Sequence, residues 1–226
     1  MQNVPQAALR CPLFEHIAPE RVSGMLGCLH ARRARYEKNR YVYRSGDAGR
    51  CVGLVLSGSV CTIREDYFGR RSIISRIGES GLFGEAFASM HTETIPLDVI
   101  ANEDCEVLFL DYRRMLTACG KACAHHARLI ENTVDILAEH NLLLTRKIEH
   151  ITRRTTREKL LSYLNEQAQL QGGDEFIIPF NREQLADYLC VERSAMSAEL
   201  SRMRRDGLIA FERNRFRLLP AAREAF

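Results

Sequence analysis

Apolar positions recur at two different periods along the chain. From Pro12 to Leu29 the residues Phe14, Ile17, Val22, Met25, Leu26 and Leu29 fall at helical spacing and predict short helices. Between Tyr41 and Leu110 the texture changes. The runs YVYRSGDAG, CVGLVLSGSVCTIRED, GRRSIISRIGESG and IPLDVIANEDCEVLFLD are β-rich and broken by glycine turns. Several short strands at such close spacing predict a small antiparallel sandwich or barrel.

A helical pattern returns from Tyr112 to His150. Within it Ile130, Val134, Leu137, Asn141, Leu144, Ile148 and Ile151 are separated by steps of 4, 3, 4, 3, 4 and 3. That is a heptad seam, the signature of two helices paired in a coiled coil. Asn141 is its one polar member, and a lone Asn at such a position fixes register and oligomer state. A second stripe, Leu129, Thr133, Ile136, His140 and Leu143, lies beside the seam and suits packing onto the β domain. The competing reading is a helix packed only within its own chain.

Beyond Thr152 a separate helical domain begins. Leu160, Leu161, Leu164 and Ala168 share one side of a helix that QGGD ends, and FIIPF reads as a short strand held at an edge by Pro179. In NREQLADYLCVERSAMSAELSRMRRDGL, Asn181 caps a helix with Gln184 as capping-box partner. Leu185, Ala186 and Leu189 face inward, and Cys190 to Glu192 make a tight turn. A second helix starts at Arg193, with Met196, Leu200 and Met203 inside and Gly207 at its end. Its first turns present Arg193, Ser194, Ser197 and Ala198 outward, as a recognition helix does toward the major groove. Residues 208–211 and 216–218 then form a hairpin wing through Arg213 and Asn214. Arg213 and Arg215 give the wing basic residues for phosphates, and Arg182 and Arg202 complete the candidate DNA contacts.

Charge adds little globally: the net charge is +3 over 226 residues. It is distributed unevenly, for the segment from Arg193 to Arg205 holds four arginines and one acid, Glu199. A solvated charged helix would look the same if that segment stood alone, and paired helices also occur in protein-interaction domains. Hydrophobic content of 46% with 27% charged residues places the chain among globular proteins. No apolar run reaches the ~18 residues of a membrane span, and no signal peptide is visible, so a cytoplasmic protein is expected. The eight cysteines include no C-x-x-C pair and read as reduced, mostly buried small side chains. Cys119, Cys123 and His126 would share a helical face, but they lack a fourth ligand, and no metal site is assigned. Ser/His/Asp order, metal-ligand motif and phosphate loop are all missing, which argues against an enzyme.

The chain resembles the Crp/Fnr family of bacterial regulators from about Leu13 to Leu218. The resemblance rests on PLF, SGDAGRCVGLVLSGSV, GLFGEAF, ANEDCEVLFLD and the helix-turn-helix. It implies an α+β protein: an N-terminal cyclic-nucleotide-binding-type antiparallel β-roll, a long dimerisation helix and a C-terminal winged helix-turn-helix. The expected boundaries are 1–111, 112–151 and 152–226. In members that bind cyclic AMP, the Gly-Glu of the GLFGEAF turn lies in the pocket, and Gly84 and Glu85 stand there. An Arg-Ser pair about ten residues later neutralises the phosphate, but Ile95 and Pro96 occupy those positions. Isoleucine cannot neutralise a phosphate, which argues against cyclic AMP and leaves the effector unknown. Glu85 is then either a turn residue or a ligand contact. His140 and Asn141 match the helix positions that the family's effectors touch, and His140 alternatively reads as a satisfied, partly buried histidine. Arg193 matches the family's base-reading arginine. Ser194 and Ala198 replace the usual Glu and Arg, which implies a different half-site. Cys190 stands where glycine is common, and the cysteine cluster of iron-sulfur-sensing members is missing.

The resulting expectation is a homodimeric regulator that binds palindromic double-stranded DNA, works with RNA polymerase and responds to a small-molecule or redox effector. A ligand-sensing signalling module without specific DNA binding is the alternative.

Overall fold

The computed structural model describes residues 4–89, 94–117 and 124–223, in two compact units, Met1–Asn141 and Leu142–Phe226. The first opens with helix α1 (Gln6–Leu9), a 3-10 turn at Pro12–Phe14 and α2 (Pro19–Cys28). Eight strands follow: β1 (Arg32–Tyr36), β2 (Tyr41–Tyr43), β3 (Cys51–Ser57), β4 (Val60–Glu65), β5 (Arg71–Ile77), β6 (Leu82–Phe83), β7 (Asp98–Ala101) and β8 (Cys105–Asp111). Helix α3 (Glu85–Ser89) lies between β6 and β7, and α4 (Tyr112–Leu116) follows β8.

The strands form two four-stranded antiparallel sheets, ordered β1-β8-β3-β6 and β2-β7-β4-β5. Alternation of side chains along a strand explains how they pack. Val55, Val107 and Phe109 turn toward Val42, Tyr43, Val60 and Val99 of the other sheet. Val52, Leu54, Leu56, Leu108 and Leu110 turn the opposite way, onto Leu13, Val22, Met25, Met115, Leu129 and Ile136. The central strands β3 and β8 are thus covered on both faces, which is why CVGLVL and VLFL are nearly continuous apolar runs.

The structure divides the helical pattern expected from Tyr112 onward. Asp111 caps α4 by accepting the Arg114 N–H at 3.2 Å, and extended Thr117 ends it. The long helix is α5 (Ala124–Ile151). Buried Asn132 donates from Nδ2 to the carbonyls of Leu13 (3.0 Å) and Glu15 (2.9 Å), which fixes the N-terminal segment against α5.

The second unit contains α6 (Thr156–Gln171), β9 (Glu175–Ile177), α7 (Arg182–Leu189), α8 (Arg193–Arg205), β10 (Ile209–Glu212), β11 (Arg215–Leu218) and α9 (Pro220–Arg223). Its sheet order is β10-β11-β9, so the strand expected at an edge lies at one. Thr155 and Glu158 form a capping box on α6, and Gly172, at φ 72°, ends that helix. Asn181 and Gln184 form the expected capping box on α7. Buried His150 bridges to α6, with Nε2–H donating to Glu166 and Nδ1 within hydrogen-bonding distance of the Ser162 hydroxyl, both at 2.8 Å. Among the described residues no helix is long and apolar enough to cross a membrane.

Candidate functional site

The turn between α7 and α8 is made at Cys190, whose φ of 53° reverses the chain without a glycine. Helix α8 buries Met196, Leu200 and Met203, so its period leaves Arg193, Ser194, Ser197, Ala198 and Arg202 exposed. Gly207, at φ 73°, releases the chain into β10. The wing turns through Arg213, with φ 52°, and Asn214, and Glu212 pairs with Arg215 across it.

Not every candidate contact is equally available. Arg182 is half-buried, with its guanidinium 4.7 Å from the centre of the Phe211 ring and 4.9 Å from that of Phe216. Burial lowers its pKa, and its position joins the start of α7 to the wing. Arg215 and Arg217 both reach Glu175 of β9, at 3.5 and 2.5 Å. Arg202 lies 3.3 Å from Glu199. Arg193 and Arg213 remain exposed, at the start of the recognition helix and at the tip of the wing.

Sequence reasoning missed Glu199, the single acid of the arginine-rich segment. It is 8% exposed on the inner side of α8 and accepts from Nε of Arg157 at 2.6 Å. It also missed Lys147, which is buried with its ammonium 4.8 Å from the centre of the Tyr188 ring. Desolvation lowers the Lys147 pKa. The helical spacing of Glu199 from Met196 and Met203 could have signalled its burial, whereas its pairing with Arg157 has no local signal.

In the first unit, Gly84 takes φ 85° where β6 passes into α3 and so places Glu85 at the start of that helix. Glu85 is 6% exposed. His140 of α5 donates from Nδ1 to one Glu85 oxygen at 2.7 Å, while the other oxygen, Oε2, is buried and has no hydrogen-bond partner. The hydrogen bond from His140 to Glu85 raises the His140 pKa against the opposing effect of burial. Ile95 is 2% exposed within the β core. It covers Gly49 so closely that a Cβ there would meet its Cγ1 at 2.4 Å. Pro96 and Asn141 are exposed. The structure therefore brings Gly84, Glu85 and His140 together, puts Ile95 into the core and leaves Pro96 outside.

Along α5, Val134 (58% exposed), Leu144 (44%) and Ile148 (56%) are open, and Ile130, Leu137 and Ile151 are partly so. Leu129, Thr133 and Ile136 of the second stripe are buried as expected. Leu143, assigned to that stripe, is instead 47% exposed. Cys119 and Cys123 lie outside the described residues, and among the described residues no group of His, Cys, Asp or Glu could hold a metal ion. Burial pushes the thiols of Cys11 and Cys61 up, to about 12 and about 11, as befits inert core side chains.

A β sandwich and a winged helix-turn-helix in one chain define a DNA-binding regulator with a sensor-type domain. Residues 33–121 match the cyclic nucleotide-binding domain, and residues 158–223 match the Crp-like helix-turn-helix domain. The chain belongs to the Crp/Fnr family of transcription regulators. It is 30% identical over 192 residues to the transcriptional activator protein FnrL of Cereibacter sphaeroides, covering 80% of this chain and 73% of FnrL. Its fold is similar to that of a CooA variant from Carboxydothermus hydrogenoformans, with a TM-score of 0.72, 21% identity and coverage of 99% of this chain and 94% of that one. It is also similar to CLP, the c-di-GMP responsive global regulator of Xanthomonas campestris, with a TM-score of 0.71, 20% identity and coverage of 88% and 99%.

Proposed function

We propose that this protein is a homodimeric, sequence-specific regulator that reads an inverted repeat in double-stranded DNA with α8, in the cytoplasm and together with RNA polymerase. The observation that carries this reading is the exposed face of Arg193, Ser194 and Ser197 above a buried Met196, Leu200 and Met203. Two such faces in a dimer would meet successive major grooves about 34 Å apart. Dimerisation is supported by the open seam of Val134, Leu144 and Ile148. No catalytic role is proposed.

The effector we propose is a small molecule or redox input other than cyclic AMP. The residues at the pocket positions do not fit a cyclic nucleotide. Ile95 offers a buried aliphatic side chain where an anion needs a donor, and one oxygen of Glu85 is already bonded to His140.

The test is a gel-shift series on an operator selected from random DNA. Arg193→Ala should lose about 1–3 kcal/mol of discrimination at one base pair per half-site, the value of a bidentate guanine contact. Weak, salt-sensitive binding should persist. Unchanged discrimination would remove the base-reading role from Arg193. Failure of the wild-type protein to select any palindrome would favour a signalling module without specific DNA binding.

A further inference from the structure

We infer that Arg157 is a positioning residue for DNA reading: its guanidinium holds the recognition helix at two points and so sets where Arg193 lies. This inference rests on the DNA-reading role proposed above for α8. Arg157 is in the first turn of α6, a turn fixed by the Thr155–Glu158 capping box. Glu158 accepts the backbone N–H groups of Arg154 at 3.0 Å and Thr155 at 3.1 Å. From this anchored start the Arg157 fork spreads over α8. Its Nε donates to Glu199 Oε1 and its Nη2 to Asp206 Oδ2, both at 2.6 Å.

Asp206 is the C-terminal cap of α8 and follows Glu199 by seven residues, about two helical turns, so Arg157 reaches the middle and the end of the helix on one side. Buried Met196, Leu200 and Met203 hold the inner face of α8, and two separated ionic attachments add a restraint on tilt and rotation that a single one would not. The magnitudes make that restraint matter. Arg193 is six residues before Glu199, roughly 9 Å along the helix. A tilt of about 10° about Glu199 would displace it by about 1.5 Å, well beyond the ~0.5 Å tolerance of a hydrogen-bonded constellation.

The chemistry of the contact fits this role better than a role in stability alone. Glu199 is 8% exposed among Met196, Leu200 and Met203, where an apolar side chain would pack at no desolvation cost. Its second oxygen lies 3.3 Å from Arg202 Nη1, so the buried carboxylate is served from both sides. Arg157, Arg202, Glu199 and Asp206 carry two positive and two negative charges, which cancel. Because the Arg157 fork is engaged by carboxylates, its loss should remove no phosphate contact. Lysine presents a point charge without a fork and cannot hold both carboxylates in the same geometry.

The experiment compares full-length wild type, Arg157→Lys and the paired Arg157→Met/Glu199→Leu variant, each checked for cooperative unfolding. The paired variant replaces the ion pair with apolar side chains, an exchange that is often neutral for folding. Each protein is titrated against the selected operator and against scrambled DNA at several salt concentrations. Both variants should lose about tenfold or more in the ratio of specific to non-specific affinity, the order of one base contact. The salt slope on scrambled DNA should not fall in either variant. A folded variant that discriminates as the wild type does overturns the inference. So does a slope on scrambled DNA reduced by about one, because Arg157 would then be a phosphate contact. If the wild type itself showed no discrimination, the DNA-reading role of α8 would fail first.

Discussion

Glu85 and His140 show how much one pair of side chains can decide. A carboxylate that is 6% exposed with one oxygen unpartnered depends on its single donor, the His140 ring. The charged groups acting on that ring are Glu85 from α3 and Glu139 from its own helix, and both raise its pKa. The folded value therefore lies above that of an unfolded histidine, about 6.5. The stabilisation from protonated His140 is fully present below that unfolded value and is lost as pH rises through the raised one. Thermal unfolding followed by circular dichroism between about pH 5.5 and 8.5 should show wild-type stability falling relative to His140→Gln, which retains a donor but no charge. Parallel pH profiles for the two proteins would exclude the linkage. The sequence placed both residues in one candidate region through the family's pattern. It gave no sign of the pairing of Glu199 with Arg157, because the two are 42 residues apart and such a pairing has no local period.

At the scale of elements, legibility followed how each face is covered. The α7-α8 pair could be read in advance because its caps, turn and inner face are all set by neighbours within a few residues. Strand β1 could not, since RRARY shows no apolar alternation: it is an edge strand paired only with β8, and Arg32 covers the Phe109 ring at 4.6 Å. Close packing between elements is equally hidden, and glycine is where it shows. Phe83 of β6 lies against Gly53 of β3 so tightly that a Cβ there would meet its Cζ at 2.1 Å. Gly24 of α2 has nothing within 4 Å of such an atom. The same substitution should therefore have opposite signs. Gly53→Ala should destabilise by about 1–3 kcal/mol through overpacking. Gly24→Ala should stabilise by about 0.5–1 kcal/mol, because it lowers the entropy lost by a helix interior. Urea midpoints for the two variants would test this, and a stabilised Gly53→Ala would show that Phe83 has room to move.

For the whole molecule, the outcome turns on the seam of α5. The heptad repeat from Ile130 to Ile151 is a pattern of the sequence alone, and the structure adds that Val134, Leu144 and Ile148 of it are exposed. The second stripe was misread at Leu143 because that residue shares the helical period but is left uncovered. Val134, Leu144 and Ile148 together leave a long apolar stripe in water, which a stable monomer would not be expected to present. Pairing with a second copy would bury that stripe and place two copies of α8 on one DNA. The dimer and the operator affinity should then fail together. Leu144→Glu with Ile148→Glu puts like charges into the seam of both copies and removes the apolar burial. Sedimentation equilibrium should give a particle of 25.8 kDa for this variant and twice that mass for the wild type. The variant's α8 is untouched, so it should still bind an isolated half-site while losing its preference for two half-sites over one. If it remained a dimer, the seam would lie elsewhere. If it became a monomer with unchanged preference for the full palindrome, dimerisation through α5 would have no part in reading DNA.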